Sequence, residues 1–151
     1  MSKELTITLT GGARVDAAVD GFIIRTDQAV SAGGTASAPE PFTLFLASLG
    51  TCAGIYVASF CRSRAIPTDG IRLVQRVIDD PATRRPREIR IDVHVPGDFP
   101  VEYRDAVARA AAACKVKKVL ADPPAFAIAT VVDEPPATAW RSDAAEVSPR
   151  P

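Results

Sequence analysis

The chain has 151 residues, 47% of them hydrophobic and 24% charged, which is the size and balance of one globular domain with a substantial core. Its 18 basic and 18 acidic residues cancel, which argues against nucleic acid as the main partner. A single histidine excludes a multi-histidine metal site, and three cysteines are too few for a disulfide-built scaffold.

The opening stretch, MSKELTITLT, lacks the charged and apolar regions of a signal peptide, so the expectation is a cytoplasmic protein with reduced thiols. Leu5, Ile7 and Leu9 alternate with threonines, the period of a half-buried strand. Gly11-Gly12 breaks that pattern. Residues 15–19 and 22–26 flank Asp20-Gly21, a two-residue signal for a tight hairpin. Residues 31–41, SAGGTASAPEP, read as a loop that serves a function or approaches another chain.

From Phe42 to Cys61 the chain runs twenty residues without a charge, the length of a membrane span. Thr43, Ser48, Gly50, Thr51, Gly54 and Ser59 dilute its apolar content, so the segment reads as a buried helix of a soluble domain, with a membrane span as the alternative. Gly50 and Gly54 form a G-x-x-x-G spacing that admits a close neighbour, a second copy of the helix included.

Pro67 and Gly70 end this region. Residues 71–78 read as a strand. Residues 88–95 form a second, with Ile89, Ile91, Val93 and Val95 on one face and Glu88, Arg90, Asp92 and His94 on the other. His94 is expected at the surface, and the basic DDPATRRPR connection as a solvated loop. Pro100 opens a helix over 101–114, in which Val107, Ala110, Ala111 and Cys114 share a stripe. Residues 115–120 either continue it or start a short helix of their own. Asp122-Pro123-Pro124 stops the helix, and 125–131 reads as a final strand. One domain is therefore expected over 1–133, followed by a Pro/Ala-rich mobile tail, 134–151, in which Trp140 is a candidate anchor.

Chemistry has few places to reside apart from the cysteines. Cys52 and Cys61 are nine residues apart and fall on opposite sides of a helix, so they do not pair. Cys52 and Cys114 each lie on apolar helical surface. Packing those surfaces together can join the sulfurs or leave each one filling core space, and the residues alone leave both readings open.

The segment APEPFTLFLASLGTCAG, followed downstream by AAACKVKKVL, resembles the two cysteine motifs of the OsmC/Ohr family, the osmotically induced protein C and organic hydroperoxide resistance proteins. The order of strands, central helix, strands, helix and last strand is also similar, over roughly residues 5–131. The resemblance implies an α+β fold in which antiparallel sheets wrap long central helices of an intertwined homodimer. It implies a peroxidatic Cys52 and a resolving Cys114, a small organic hydroperoxide as substrate, an external dithiol as reductant, no cofactor, no metal, and neither nucleic acid nor membrane as partner. Mid-helix, Cys52 is expected to gain little from a helix N-terminus and to need a cation. Arg14 resembles the family's N-terminal arginine, with Arg25 in reserve. Phe42 and Phe45 are expected to line an apolar substrate pocket.

The sequence departs from the family in one place that bears on chemistry. The peroxidases carry a glutamate nine or ten residues before the first cysteine, where this chain has Thr43 and Phe42. Glu40 is the candidate substitute. Lys115 stands where proline is common, and with Lys117 and Lys118 it reads as a solvated face or as charge beside Cys114. Two functions follow. One is a dithiol-dependent hydroperoxide reductase. The other is a non-catalytic dimer that binds a small apolar ligand or senses redox state.

Overall fold

The computed structural model describes residues 3–133; the 134–151 segment, with Trp140, lies outside the described residues. The fold is α+β, with two antiparallel sheets and one long helix between them in sequence. Strands β1 (Thr6–Gly11), β2 (Arg14–Val19) and β3 (Phe22–Thr26) form the first sheet in sequence order. The expected hairpin is present: Val19 pairs with Phe22, and both Asp20 (φ 49°) and Gly21 (φ 80°) adopt the left-handed conformation that a tight two-residue turn requires.

The register makes this sheet strongly two-faced. Ile7, Leu9, Val15, Ala17, Phe22 and Ile24 fall on one face, while Thr8, Asp16 and Arg25 fall on the other. The apolar face is not buried within the chain, contrary to the half-buried strand expected. Leu9 is 83% exposed and Phe22 72%. The alternation correctly marked an amphipathic strand, but among the described residues no helix packs extensively on it. Only the first turn of the long helix approaches, where Pro41 and Leu44 share a shallow cleft with Ile7, Val15 and Ile24.

The 27–40 connection is an ordered turn built on a buried carboxylate. Asp27 Oδ2 accepts from Thr35 N (3.1 Å), Thr35 Oγ1 (2.7 Å), Ser37 N (3.0 Å) and Ser37 Oγ (2.7 Å), and Oδ1 accepts from Gln28 N (2.8 Å). The Ser37 N–H and the Thr35 and Ser37 hydroxyls outweigh burial and hold the Asp27 carboxyl far below the usual carboxylate range. Gly34 is required here, because a Cβ on it would lie 2.0 Å from the Gln28 carbonyl oxygen.

Helix α1 (Pro41–Arg62) begins with proline at its first position and spans the uncharged segment as expected. Strands β4 (Arg72–Asp79) and β5 (Pro86–His94) form the second sheet. Helices α2 (Arg104–Ala112) and α3 (Lys115–Ala121) follow a 3-10 turn at Val101–Tyr103. The core gathers Ala53, Val57 and Cys61 of α1 with Phe99, Val107, Ala111 and Cys114, and Leu73, Ile91 and Val93 of the second sheet pack against it.

Three expectations need correction. The 101–114 helix breaks at Ala113, and residues 115–120 belong to a separate helix, because Cys114 turns to extended backbone (φ −62°, ψ 140°) and caps α3. Residues 125–131 form no strand. They are exposed, with Phe126 at 88% and Ile128 at 98%, since an alternating segment becomes a strand only beside a sheet edge and none lies alongside among the described residues. His94 is half-buried, cross-strand from Arg72, and its Nε2 is enclosed without a partner.

The Gly50–Gly54 spacing also has a different use at each end. Gln75 of β4 donates from Nε2 to the Leu46 carbonyl (2.9 Å), and its Oε1 would be only 3.0 Å from a Cβ on Gly50. Gly54 faces open space.

Candidate functional site

The two cysteines of interest are brought together by three elements. Cys52 is half-buried on α1, packed on the core that contains the fully buried Cys114. Because α2 ends at Ala112 and the chain turns, Cys114 becomes the N-cap of α3. Its Sγ accepts from the Lys117 N–H at 3.5 Å. The first backbone N–H groups of α3 are thereby set beside the other sulfur. The Cys52 thiol is held below its ordinary pKa, first by the Val116 N–H, against burial, which pushes it up. The Cys114 thiol, the Lys115 N–H and the positive charge of Lys117 then lower it further.

This corrects the expectation that a mid-helix cysteine gains little from a helix start. Cys52 gains it from a different helix, across the packing interface. No sequence signal within α1 could have shown this; the only cue was the Asp/Ser/Thr-free junction at Ala113-Cys114, where a helix break is hard to read.

The charged partners expected elsewhere do not join the sulfurs within the chain. Arg14 and Arg25 are on the N-terminal sheet, lining a small polar pocket with Thr10, Asp16, Thr26 and Ser37. The Arg14 Nη2 donates to the Thr10 carbonyl at 3.4 Å. Glu40 is engaged as well: its Oε1 accepts from the Ala29 N–H at 3.1 Å, tying the start of α1 to the Asp27 turn. Phe42 and Phe45 stack with centroids 5.6 Å apart. Phe45, seven residues before Cys52, is on the same side of α1, about 10 Å away along the axis.

Lys117, read from the sequence as part of a solvated face or as charge beside Cys114, is a cation whose charge reaches Cys52. It is half-buried, and its Nζ donates to the Ala111 carbonyl at 2.9 Å. It borders an open, mainly apolar cavity of about 630 Å³ between α1, β5, α2 and α3, walled by Leu49, Ile91, Val107, Ala111 and Leu120. The third cysteine, Cys61, is completely buried, and burial pushes its thiol up while Arg64 pulls weakly the other way.

The family model for OsmC-like proteins matches residues 34–129, well over half of the chain. The chain belongs to the OsmC-like family. No curated protein sequence matches it. Three solved structures share the fold at low identity. A Psychrobacter arcticus protein described as osmotic stress induced and detoxification response is 22% identical, with a TM-score of 0.67 over 78% of this chain and 87% of its own. An OsmC-like protein from Mycoplasma pneumoniae is 17% identical, with a TM-score of 0.62 over 80% and 88%. An organic hydroperoxide resistance protein OsmC from Legionella pneumophila is 17% identical, with a TM-score of 0.53 over 80% and 89%. The α+β arrangement of this chain is thus that of a divergent OsmC-like protein. Although α1 is long and apolar enough to cross a membrane by composition, OsmC-like domains are soluble and use such a helix as their centre.

Proposed function

We propose that this OsmC-like protein reduces organic hydroperoxides with the Cys52–Cys114 pair, as a cytoplasmic homodimer served by an external dithiol. The observation that supports the reading is that Cys52 packs on the core containing Cys114 and that its thiol is lowered there. The Cys52 thiolate attacks the outer oxygen of R–O–O–H, forming an S–O bond as O–O breaks. The alkoxide takes up a proton and leaves as the alcohol, and Cys52 becomes a sulfenic acid. The Cys114 thiolate then attacks the Cys52 sulfur, the S–S bond forms, and the hydroxyl leaves as water after protonation. Two electrons from a dithiol restore both thiols. The name of the Legionella relative is consistent with this chemistry.

Residues 1–133 act as one domain whose exposed apolar surfaces are covered by a second copy. Support comes from the uncovered face of the first sheet, and from the open side of α1 with Thr51, Ile55 and Ser59. The alternating 125–131 segment, exposed and beside no sheet edge among the described residues, suits a strand exchanged between copies. In that dimer Arg14 belongs to the partner's reach as much as to its own.

A second reading, a non-catalytic protein that holds a small apolar ligand, is favoured by the cavity beside α3. One equivalent of cumene hydroperoxide separates the two. The enzyme forms a Cys52–Cys114 disulfide rapidly, and neither Cys52→Ser nor Cys114→Ser does. A Cys52 that reacts no faster than free cysteine rules the peroxidase out.

A further inference from the structure

Neither Cys52 nor Cys114 lines the open cavity of about 630 Å³ between α1, β5, α2 and α3. Its walls follow from the register of β5. Ile89, Ile91 and Val93 oppose Val77, Gln75 and Leu73 on the face that packs on the core. Asp92 borders the cavity as well, but its carboxylate accepts from Arg76, which stands on the opposite face of the sheet. Across from β5, α2 offers Ala108, Ala111 and Ala112, whose small side chains leave the space unfilled.

With the Asp92 carboxylate turned away, the charged side chains left at the cavity are, among the described residues, both cations. They sit at its two ends. Arg104 opens α2, and its Nη2 donates to the Gly97 carbonyl just beyond β5 at 3.5 Å. Lys117 folds back to the other end of α2, where Nζ donates to the Ala111 carbonyl at 2.9 Å and keeps two donors unused. Arg104 and Ala111 are seven residues apart, about 10 Å along the helix axis. Aliphatic walls between two cations complement an anion with an aliphatic chain, and low polarity strengthens the attraction between charges. The surfaces assigned above to a second copy lie elsewhere. Leu49, the α1 residue at the cavity, is about 120° around the helix from Ile55.

We propose that this cavity binds an aliphatic monocarboxylate as a ligand that is held and not consumed. Its carboxylate meets the half-buried Lys117 ammonium, and its chain runs along the alanine face of α2 towards Arg104. Arg104, exposed and tied to Gly97, closes the far end with the aliphatic part of its side chain. The site rests on the cavity that favours the second reading above, gives its ligand a charge, and uses neither sulfur.

The test is calorimetric titration of the full-length protein with sodium decanoate below its micelle-forming concentration. Saturable binding is expected, tightening about threefold per methylene from hexanoate to decanoate as apolar surface is buried. Decan-1-ol is expected to bind at least about tenfold more weakly, having lost a charge-assisted contact, and decylamine, cationic at neutral pH, not to saturate. Lys117→Gln is expected to lose about tenfold, Lys117→Arg to stay within about threefold, and Arg104→Gln to lose less than Lys117→Gln. Ala108→Leu fills the cavity from an exposed position of α2 and is expected to abolish binding while the unfolding midpoint and the mass in solution stay unchanged. No saturation with decanoate overturns the proposal, as do equal affinities for the three head groups or a decanoate affinity untouched by Ala108→Leu. A change of mass in the Ala108→Leu protein overturns it too, because the cavity would then be filled by a second copy. Cys52→Ser is expected to bind decanoate as the wild type does, and loss of binding there would move the ligand to the thiols. Decanoate has no O–O bond, so the two readings fail separately. Binding without peroxide turnover sinks only the peroxidase, and turnover without binding sinks only this site.

Discussion

Helix α1 carries two cysteines in opposite chemical states. At Cys61 the sulfur is enclosed with Val57 and Phe99, and burial pushes its thiol up. At Cys52 the sulfur is half-buried, and the Val116 N–H leads the groups that pull its thiol down. Cys61 lies in the last turn of the helix, at the negative end of its dipole, and Cys52 near the middle. The second element differs as well. Cys61 meets side-chain carbon, whereas Cys52 meets the capped start of α3, with its N–H groups and a lysine. The lowering of the Cys52 thiol thus comes from across a packing interface.

The most direct way to break that comparison is to alkylate both cysteines in the native protein. Cys52 is expected to react at least about 100-fold faster than Cys61 at neutral pH, from the combined effects of ionisation and access. On a pH scan the Cys52 midpoint should fall below that of free cysteine. Cys61 should remain unreactive until well above it, or until the protein unfolds. Comparable rates at the two sites would mean that the α3 start does not act on Cys52 in solution.

The elements that carry this contrast were unequally legible in the sequence. The absence of charge from Phe42 to Cys61 announced α1, and the Asp20-Gly21 turn and the alternation after Glu88 announced the hairpin and β5. These are local patterns, and local patterns report local structure. The closeness of Cys52 and Cys114 was one of two open readings until the family resemblance favoured it. The cation was assigned to Arg14 and the acid to Glu40 by analogy. Within the chain Glu40 accepts from the Ala29 N–H and Lys117 folds back onto α2. Both outcomes depend on where distant backbone groups end up, which no spacing in the sequence encodes. The 125–131 segment failed for a related reason: its alternation describes a strand, but the described residues place no sheet edge beside it.

Serine replacements sharpen the comparison energetically. Cys61→Ser places a hydroxyl in a fully buried, apolar site and is expected to cost about 2 kcal/mol in denaturant unfolding. Cys52→Ser, at a half-buried position with N–H groups nearby, should change stability by no more than about 0.5 kcal/mol while abolishing the thiol chemistry. If Cys52→Ser proved the costlier of the two, the functional end of the helix would be the structural one as well.

On either side of Cys52, two glycines one turn apart give the finest test, because the same substitution at both cancels the intrinsic gain of alanine in a helix, about 1 kcal/mol. At Gly54 a methyl group meets nothing within 4 Å, so that gain should be realised in full. At Gly50 the methyl group meets Gln75 Oε1 at 3.0 Å and must displace an amide whose Nε2 bonds the Leu46 carbonyl. Loss of that hydrogen bond costs about 1 kcal/mol and offsets the gain. Gly50→Ala is therefore expected to be less stable than Gly54→Ala by about 1 kcal/mol, measured side by side in urea. Equal stabilities would show that the Gln75 amide moves aside freely and does not brace α1 against the second sheet. A Gly54→Ala protein that loses stability, and loses it more steeply on dilution, would locate a second copy of the chain on the open side of the helix.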